Sequence, residues 1–183
     1  MQTKSLVPLR ANLSESVPAI DYQTYSTVSR NHRKSEVNIM INDDTIKLLR
    51  ECDAGIRMGI DSLEEMLKYT KNKEMSECMY RTLEISRDLE KDTTELLKEY
   101  HDDGKNPNPM AKGMSWMKTN VKVAFDDSDH TIADLVTEGC NMGIKSLQRY
   151  LNEFKAADDK SKRIAQKLID SEDHLIQDMR AYL

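Results

Sequence analysis

The sequence predicts an all-α fold, an antiparallel four-helix bundle with a short crossover helix between the second and third long helices. Three observations support this: a helix-rich composition, apolar residues at helical spacing in four segments, and an internal repeat. Of the 183 residues, 32% are charged and only 5% are aromatic, which disfavours strand-rich folds. A single core is expected, because a domain of roughly 140 residues is close to the commonest size.

The first 39 residues differ from the rest of the chain. They contain Pro8, Pro18 and many Ser and Thr residues, with no period that persists. Such a segment cannot bury a continuous apolar face, so residues 1–39 are predicted to be a disordered tail and residues 40–183 the bundle. Met40 directly precedes the first helical pattern. It is an alternative start, in which case the tail would not belong to the native protein.

The first two long helices are read from their apolar stripes and end signals. The first is predicted to begin after Asn42 as N-cap, with Asp53 as the one acid in its inward stripe. A turn at residues 71–73 separates it from the second, which runs to about His101. Gly104 follows as a left-handed terminator.

The second half of the chain begins with a break at Asn106–Pro109. A short amphipathic crossover helix is predicted from Met110 to about Phe125, followed by two more long helices. The third long helix is predicted to be capped by Asp127 or Ser128 and to end near Phe154. The fourth is predicted to be capped by Asp158 and to run from about Lys160 to Leu183.

An internal repeat relates the first helix to the third at a constant offset of 84 residues. In the thirteen positions from Gly55 to Leu67, seven residues match their counterparts. The matched pairs are Gly55/Gly139, Met58/Met142, Gly59/Gly143, Ile60/Ile144, Ser62/Ser146, Leu63/Leu147 and Leu67/Leu151. This number exceeds what two unrelated amphipathic helices would share, so the chain is interpreted as a duplicated helical hairpin.

The four matched glycines allow two interpretations. Glycine inside a helix costs about 1 kcal/mol relative to alanine, so its repeated presence needs a reason. The interpretation we favour is a close approach of helix backbones. The alternative is that the glycines open space for a ligand between the helices.

These features resemble a known family. The paired hairpins, the glycine-containing first and third helices and the segment Gly113–Lys118 (GMSWMK) are similar to uncharacterised ferritin-like bundles of bacteria, relatives of ferritin and rubrerythrin. The resemblance covers roughly residues 42–183. It implies a ferritin-like bundle that is more often a self-associating or protein-binding component than an enzyme, with a role in stress physiology or dormancy.

A ferritin-type di-iron site is not predicted. It needs a Glu-x-x-His pair on each of two helices, because residues three apart share one inward face. No histidine has a Glu three residues before it: Ser29 precedes His32, Lys98 precedes His101, Asp127 precedes His130, and Ser171 precedes His174. We therefore assign no catalytic, cofactor-binding or metal-binding residue, and no cofactor is expected.

Two acids are nevertheless predicted to face the core. Asp53 and Glu172 each have apolar residues three and four positions away, and burial without a partner would be costly. We expect them to be structural acids held by neighbours such as Ser86 or Arg57. The alternative function is a metal-binding oxidase or metal store that uses Asp53, Glu138 and Glu172.

The cysteines and the N-terminal pattern bear on location. Cys52, Cys78 and Cys140 are odd in number and far apart, which favours reduced thiols, packed as small core residues, in the cytoplasm. No apolar run of 18 residues and no standard signal sequence occurs, so the chain is expected neither to span a membrane nor to be secreted.

Charge and surface residues bear on partners. The net charge of −5 is mild and the basic residues are dispersed, so nucleic acid is not an expected partner. A homo-oligomer or a protein partner is expected. The crossover helix, with Trp116 between methionines and lysines, offers a surface for a partner protein or a membrane, although the interpretation we favour is that it covers one end or side of the bundle.

Overall fold

Four long helices account for most of the described chain. In this computed structural model, the described residues are 22–104 and 128–183, with side chains described for 34–40, 42–104 and 128–183. The helices are α1, Tyr22–Leu67; α2, Lys73–Glu99; α3, Asp129–Glu153; and α4, Asp159–Met179, with a 3₁₀ turn at Arg180–Tyr182. No strand occurs within these ranges, and the all-α prediction is confirmed for them.

The first helix begins earlier than the sequence predicts. α1 starts at Tyr22, so the prediction of a helix start at Asn42 is wrong. Residues 22–41 contain neither Pro nor Gly, which allows the helix to continue. The side chains of residues 34–40 are all exposed, so no apolar stripe marks this stretch in the sequence.

The chain divides into two units, Met1–Glu36 and Val37–Leu183. The second unit contains the core and begins three residues before the predicted boundary at Met40. The prediction of a disordered tail does not hold for residues 22–39, which lie in α1. Residues 1–21 lie outside the described residues, so for them the disordered tail stays a prediction, as does the alternative start at Met40.

Side-chain caps define the starts of the other three helices. Asn72, Ser128 and Asp158 lie in extended backbone, and a side-chain oxygen of each accepts a hydrogen bond from the N–H three residues later. These bonds measure 3.1 Å, 3.3 Å and 2.7 Å, respectively. Each such cap typically contributes about 1 kcal/mol. The predicted caps at Ser128 and Asp158 are confirmed.

Ion pairs connect α1 with α2 and the residues just after it. Their residue numbers rise along α1 while they fall along α2: Arg50 pairs with Asp102, Arg57 with Glu90, and Glu64 with Arg87. Each pair is partly exposed, so each is worth at most about 1 kcal/mol. The ion pairs show that α1 and α2 are neighbours, but they contribute little to the stability of the fold.

Two apolar clusters form the core, and each draws on all four helices. One includes Leu49, Leu89, Leu147 and Leu168. The other lies nearer the opposite ends of the same helices and includes Leu63, Met79, Val136 and Leu175. Besides these shared clusters, α4 packs directly against both α2 and α3. Members of both clusters, including Ile56, Leu63, Leu147 and Leu175, also line the site described below.

The middle of α1 is tied to the turn between α3 and α4. The Thr45 hydroxyl, which is fully buried, accepts a hydrogen bond of 2.9 Å from the Asp158 amide. One residue earlier, the Asp44 carboxylate accepts a bond of 2.9 Å from the Ala156 amide. These contacts satisfy turn amides that would otherwise be orphaned at the start of α4.

The predicted crossover helix, from Met110 to about Phe125, lies outside the described residues. The proposed surface role of Trp116 lies there too and stays a prediction. In the part of the chain that is described, no helix is both long enough and apolar enough to cross a membrane.

Candidate ligand-binding cleft

The four glycines of the repeat line a cavity between α1 and α3. Its volume is about 370 Å³. A Cβ atom added at Gly55, Gly59 or Gly139 would meet no atom within 4 Å outside its own helix. The prediction that these glycines bring two helix backbones together is therefore wrong. They leave space between α1 and α3, which is the alternative that the sequence left open.

The walls of this α1–α3 cleft are mostly apolar, and the repeat supplies matching side chains from both helices. Its apolar lining is Ala54, Ile56, Met58, Leu63 and Met66 from α1, Leu135, Val136, Met142 and Leu147 from α3, and Leu168 and Leu175 from α4. Thr82 and Ser86 of α2 are among its polar lining residues. An apolar pocket with a few polar groups is the usual composition of a small-molecule site.

Glu172 of α4 is the acidic group deep in the cleft. Its carboxylate lies against the bare Cα of Gly143, where an added Cβ would overlap both carboxylate oxygens. The Oε2 atom is buried and has no hydrogen-bond partner among the described residues. Glu172 thus faces inward, as predicted, but the prediction that a neighbour such as Ser86 or Arg57 holds it is wrong.

This isolation changes the protonation of Glu172. Burial raises its pKa to about 8, because a charged carboxylate in an apolar site loses its hydration without gaining a partner. At neutral pH the group is therefore mostly protonated. A neutral carboxyl can donate one hydrogen bond as well as accept others.

Cys140 lies beside Glu172 in the cleft wall. Burial, reinforced by the charge of Glu172, raises the pKa of its thiol to about 12. Burial, with the nearby Glu51 and Asp53, also raises the pKa of Cys52 to about 12. Both thiols stay protonated at neutral pH and are weak nucleophiles. This agrees with the prediction that the cysteines are packing residues, although Cys78 and Cys140 are only half-buried.

Asp53 lies in a different environment. Its side chain is fully buried, with Oδ1 at 3.1 Å from Nη2 of Arg57, whose Nε in turn lies 3.3 Å from Glu90. The Arg57 contact is ionic but poorly aligned, because neither oxygen of Asp53 meets the geometry of a hydrogen bond. Burial raises the pKa of Asp53, and the charge of Arg57 opposes that rise. The predicted pairing of Asp53 with Arg57 is confirmed.

The three acids of the metal-binding alternative do not come together. Asp53 packs against Gly104 after α2, and Glu172 against Gly143 of α3. Glu138 is exposed and lines a separate surface depression with Asp134 and Thr137. Across residues 22–104 and 128–183, no group of three His, Cys, Asp or Glu side chains could hold a metal ion.

The three histidines with described side chains do not contribute to a metal site either. His174 is exposed, as the sequence predicted, and so are His101 and His130. The arrangement around Glu172 is suited to holding an apolar molecule against one carboxyl group. A reaction would need a second functional group beside that carboxyl, and the neighbouring Cys140 thiol is held in its unreactive form.

Comparison with known proteins adds no assignment, because no protein-family model, curated protein or solved structure matches this chain.

Sequence reasoning identified the four glycines and the inward Glu172 but did not place them together in one cleft. The signal that was available is the repeat itself, since Gly, Ser and Met recur at matched positions on two helices. Small residues at matched positions on facing helices leave less side-chain volume to fill the space between the two helices. The sequence does not show whether the helices then move closer or stay apart.

Filling the open positions tests this geometry. We expect Gly59→Ala and Gly139→Ala each to raise the free energy of unfolding by about 0.5–1 kcal/mol, because the new methyl group meets no atom and alanine favours the helix. The measurement is urea unfolding followed by circular dichroism.

Gly143→Ala is the matched contrast to these two variants. The added methyl group must displace the Glu172 carboxyl, so the increase in the free energy of unfolding should be smaller than for Gly59→Ala, or absent. In a protein that also carries Glu172→Ala, Gly143→Ala should increase the free energy of unfolding as Gly59→Ala does. Equal effects of Gly59→Ala and Gly143→Ala would contradict the described placement of Glu172.

The raised pKa of Glu172 makes stability depend on pH. The unfolded chain releases this proton near the ordinary value of 4.5 and the folded chain near 8. Stability from this group is therefore complete below about pH 4.5 and is lost as pH rises toward 8, by at most about 1.4 kcal/mol per pH unit. Glu172→Gln removes this dependence.

We expect the free energy of unfolding of Glu172→Gln, relative to the unmodified protein, to increase steadily between pH 5 and pH 8. Urea titrations at each pH measure it. An advantage that is constant over this range would show that Glu172 is not isolated.

Proposed function

We propose that this protein is a non-enzymatic helical bundle of ferritin-like architecture that binds a small, largely apolar molecule in the α1–α3 cleft. The observation that carries the proposal is the cleft of about 370 Å³ between two helices whose facing positions are glycine. Pockets for small molecules have volumes of roughly 300–1,000 Å³ and mostly apolar walls. The cleft has both properties.

The proposed bundle is antiparallel and built from two related hairpins. The opposite order of the ion-paired residues along α1 and α2 supports an antiparallel first hairpin. The direct packing of α4 on α2 and α3 supports the neighbour relations of a four-helix bundle. The repeat at offset 84 supports an approximate two-fold relation between the hairpins, with the cleft at that axis.

Energetics favour a binding role for the cleft. Four glycines in helix interiors cost roughly 0.5–1 kcal/mol each relative to alanine. An unpaired buried carboxyl adds a further cost. A protein that needed only a stable bundle would gain by filling this space, so the space is best explained by what occupies it.

Binding is favoured over catalysis by the chemistry around Glu172. Among the described residues, the buried Oε2 of its carboxyl has no hydrogen-bond partner to orient it as a general acid or base. The adjacent Cys140 has a raised pKa of about 12. Neither group is activated for covalent chemistry.

A neutral apolar dye tests the proposal. N-phenyl-1-naphthylamine fluoresces strongly in apolar surroundings and carries no charge at neutral pH. We expect it to bind the unmodified protein, and Gly139→Leu to weaken binding at least tenfold, because the leucine side chain occupies the cleft. Fluorescence titration measures the affinity.

Gln148→Leu is the matched control for this experiment, since it adds the same side chain to an exposed position of α3. It should bind the dye as the unmodified protein does. Dye binding that is equal in Gly139→Leu and Gln148→Leu, or lost in both, would contradict a site in the cleft.

Self-association is a second candidate function. Met142 lines the cleft and is 45% exposed, and an approximately two-fold surface can pair with itself in an isologous dimer. A second copy would cover the cleft from outside. Sedimentation equilibrium should then show a dimer that Met142→Glu dissociates and Tyr80→Glu, a change at an exposed residue of α2, does not.

Two further expectations from the sequence stay predictions. They are a cytoplasmic location and a role in stress physiology or dormancy.

A further inference from the structure

The ionisable side chains that line the α1–α3 cleft include acids but no bases. Glu172 lies inside it, and Glu51 of α1 lines it as well. Among the described residues that line the cleft, none is Lys, Arg or His. An anionic ligand would meet two carboxyl groups and no cation there, so phosphates, sulfates and carboxylates are poor candidates.

The two acids differ in whether their carboxylate oxygens have a hydrogen-bond partner among the described residues. Glu51 accepts a hydrogen bond from the hydroxyl of Tyr150, a side chain that also lines the cleft. The buried Oε2 of Glu172 has no such partner. Glu172 is therefore the acid that has unused hydrogen-bonding capacity.

The described helices around Glu172 supply no compensating positive charge to the cleft lining. The ionisable groups that they contribute are Glu51 from α1 and Cys140 and Tyr150 from α3, and the α2 residues Thr82 and Ser86 are uncharged. Each of these ionisable side chains is neutral when protonated and negative when deprotonated. A cationic ligand would supply the positive charge that these described residues lack.

We infer that the ligand of the α1–α3 cleft is an apolar amine, held as its ammonium ion by the carboxylate of Glu172. This inference rests on the proposed function and adds the chemical class of the ligand. The ammonium group supplies both the charge and the hydrogen-bond donors that the unpartnered carboxyl lacks. Its hydrocarbon part replaces solvent against the leucine, methionine and glycine walls.

Binding is coupled to the release of one proton. In the free protein Glu172 is mostly protonated below about pH 8. When an ammonium ion binds, the proton leaves the carboxyl for the solvent, and the N–H groups of the ligand donate to the resulting carboxylate. The ammonium keeps its own proton, so charge and atoms balance.

The sign of the pH dependence separates this ligand class from a neutral one. An ammonium ligand requires the ionised carboxylate, so its affinity should rise from pH 6 to pH 8 by up to about tenfold per unit. A neutral ligand that accepts a hydrogen bond from the protonated carboxyl would lose affinity as the group ionises. The two cases predict opposite slopes.

The experiment uses three probes of equal length: octylammonium, 1-octanol and octanoate. Isothermal titration calorimetry at pH 6, 7 and 8, in two buffers that differ in ionisation enthalpy, gives both affinity and proton release. We expect octylammonium to bind most tightly, with affinity rising with pH and nearly one proton released at pH 6. Octanoate should bind most weakly.

Two variants test the role of Glu172. Glu172→Gln keeps the size and a donor group but removes the charge, so it should weaken octylammonium at least tenfold at pH 8, abolish proton release and leave 1-octanol unchanged. Glu138→Gln makes the same change at an exposed acid outside the cleft. It should leave all three affinities unchanged.

The outcomes of these experiments distinguish a failure of the amine inference from a failure of the proposed function. If 1-octanol binds as tightly as octylammonium at pH 8, and Gly139→Leu weakens both, the cleft binds apolar molecules and the amine inference is wrong. If Glu138→Gln weakens octylammonium as much as Glu172→Gln, the attraction is a general surface effect and the inference is also wrong. If none of the probes and no neutral dye binds, both proposals fail.

Discussion

The space between α1 and α3 is the constraint on which the rest of this structure depends. At Gly55, Gly59 and Gly139 a side chain is missing and nothing from the opposite helix takes its place. At Gly143 the missing side chain makes room for the carboxyl of Glu172. Protein interiors are normally packed to the density of organic crystals, so a cleft of about 370 Å³ among the described helices forgoes packing contacts that larger side chains at these positions would make.

The environment of Glu172 follows from that space. Asp53 is more completely buried, yet Arg57 lies one turn along the same helix and supplies a positive charge at 3.1 Å. The described residues that line the cleft with Glu172 include glycine, cysteine and leucine but no Lys, Arg or His. Two acids in one core therefore differ in role: the first is part of an ion-paired network, and the second is a free functional group that faces a cavity. The amine inference extends this difference, since it assigns to the ligand the charge that Arg57 supplies to Asp53.

Much of this architecture could be predicted from the sequence. Capping residues such as Ser128 and Asp158 define helix starts through a local interaction, and local interactions are readable in a single chain. The inward orientation of Asp53 and Glu172 followed from helical periodicity, which likewise needs no knowledge of the partner helix.

Of the two failures, one concerns the limit of a helix and the other the distance between helices. The early start of α1 at Tyr22 was missed because its exposed residues carry no apolar stripe. The glycines were misread because the same residues suit both a close and an open helix pair, and the separation is set by the larger side chains that flank them. Leu63 and Leu147, which belong to the two core clusters, are such residues.

The central claim is that α1 and α3 enclose an accessible apolar space, and a crystal of the protein under xenon pressure tests it most directly. Xenon occupies apolar cavities without hydrogen bonding and is located by its electron density. The account predicts xenon between α1 and α3, beside Gly59 and Gly139, in the unmodified protein and its loss in Gly139→Leu. Helices in backbone contact at these glycines, with no xenon between them, would contradict it.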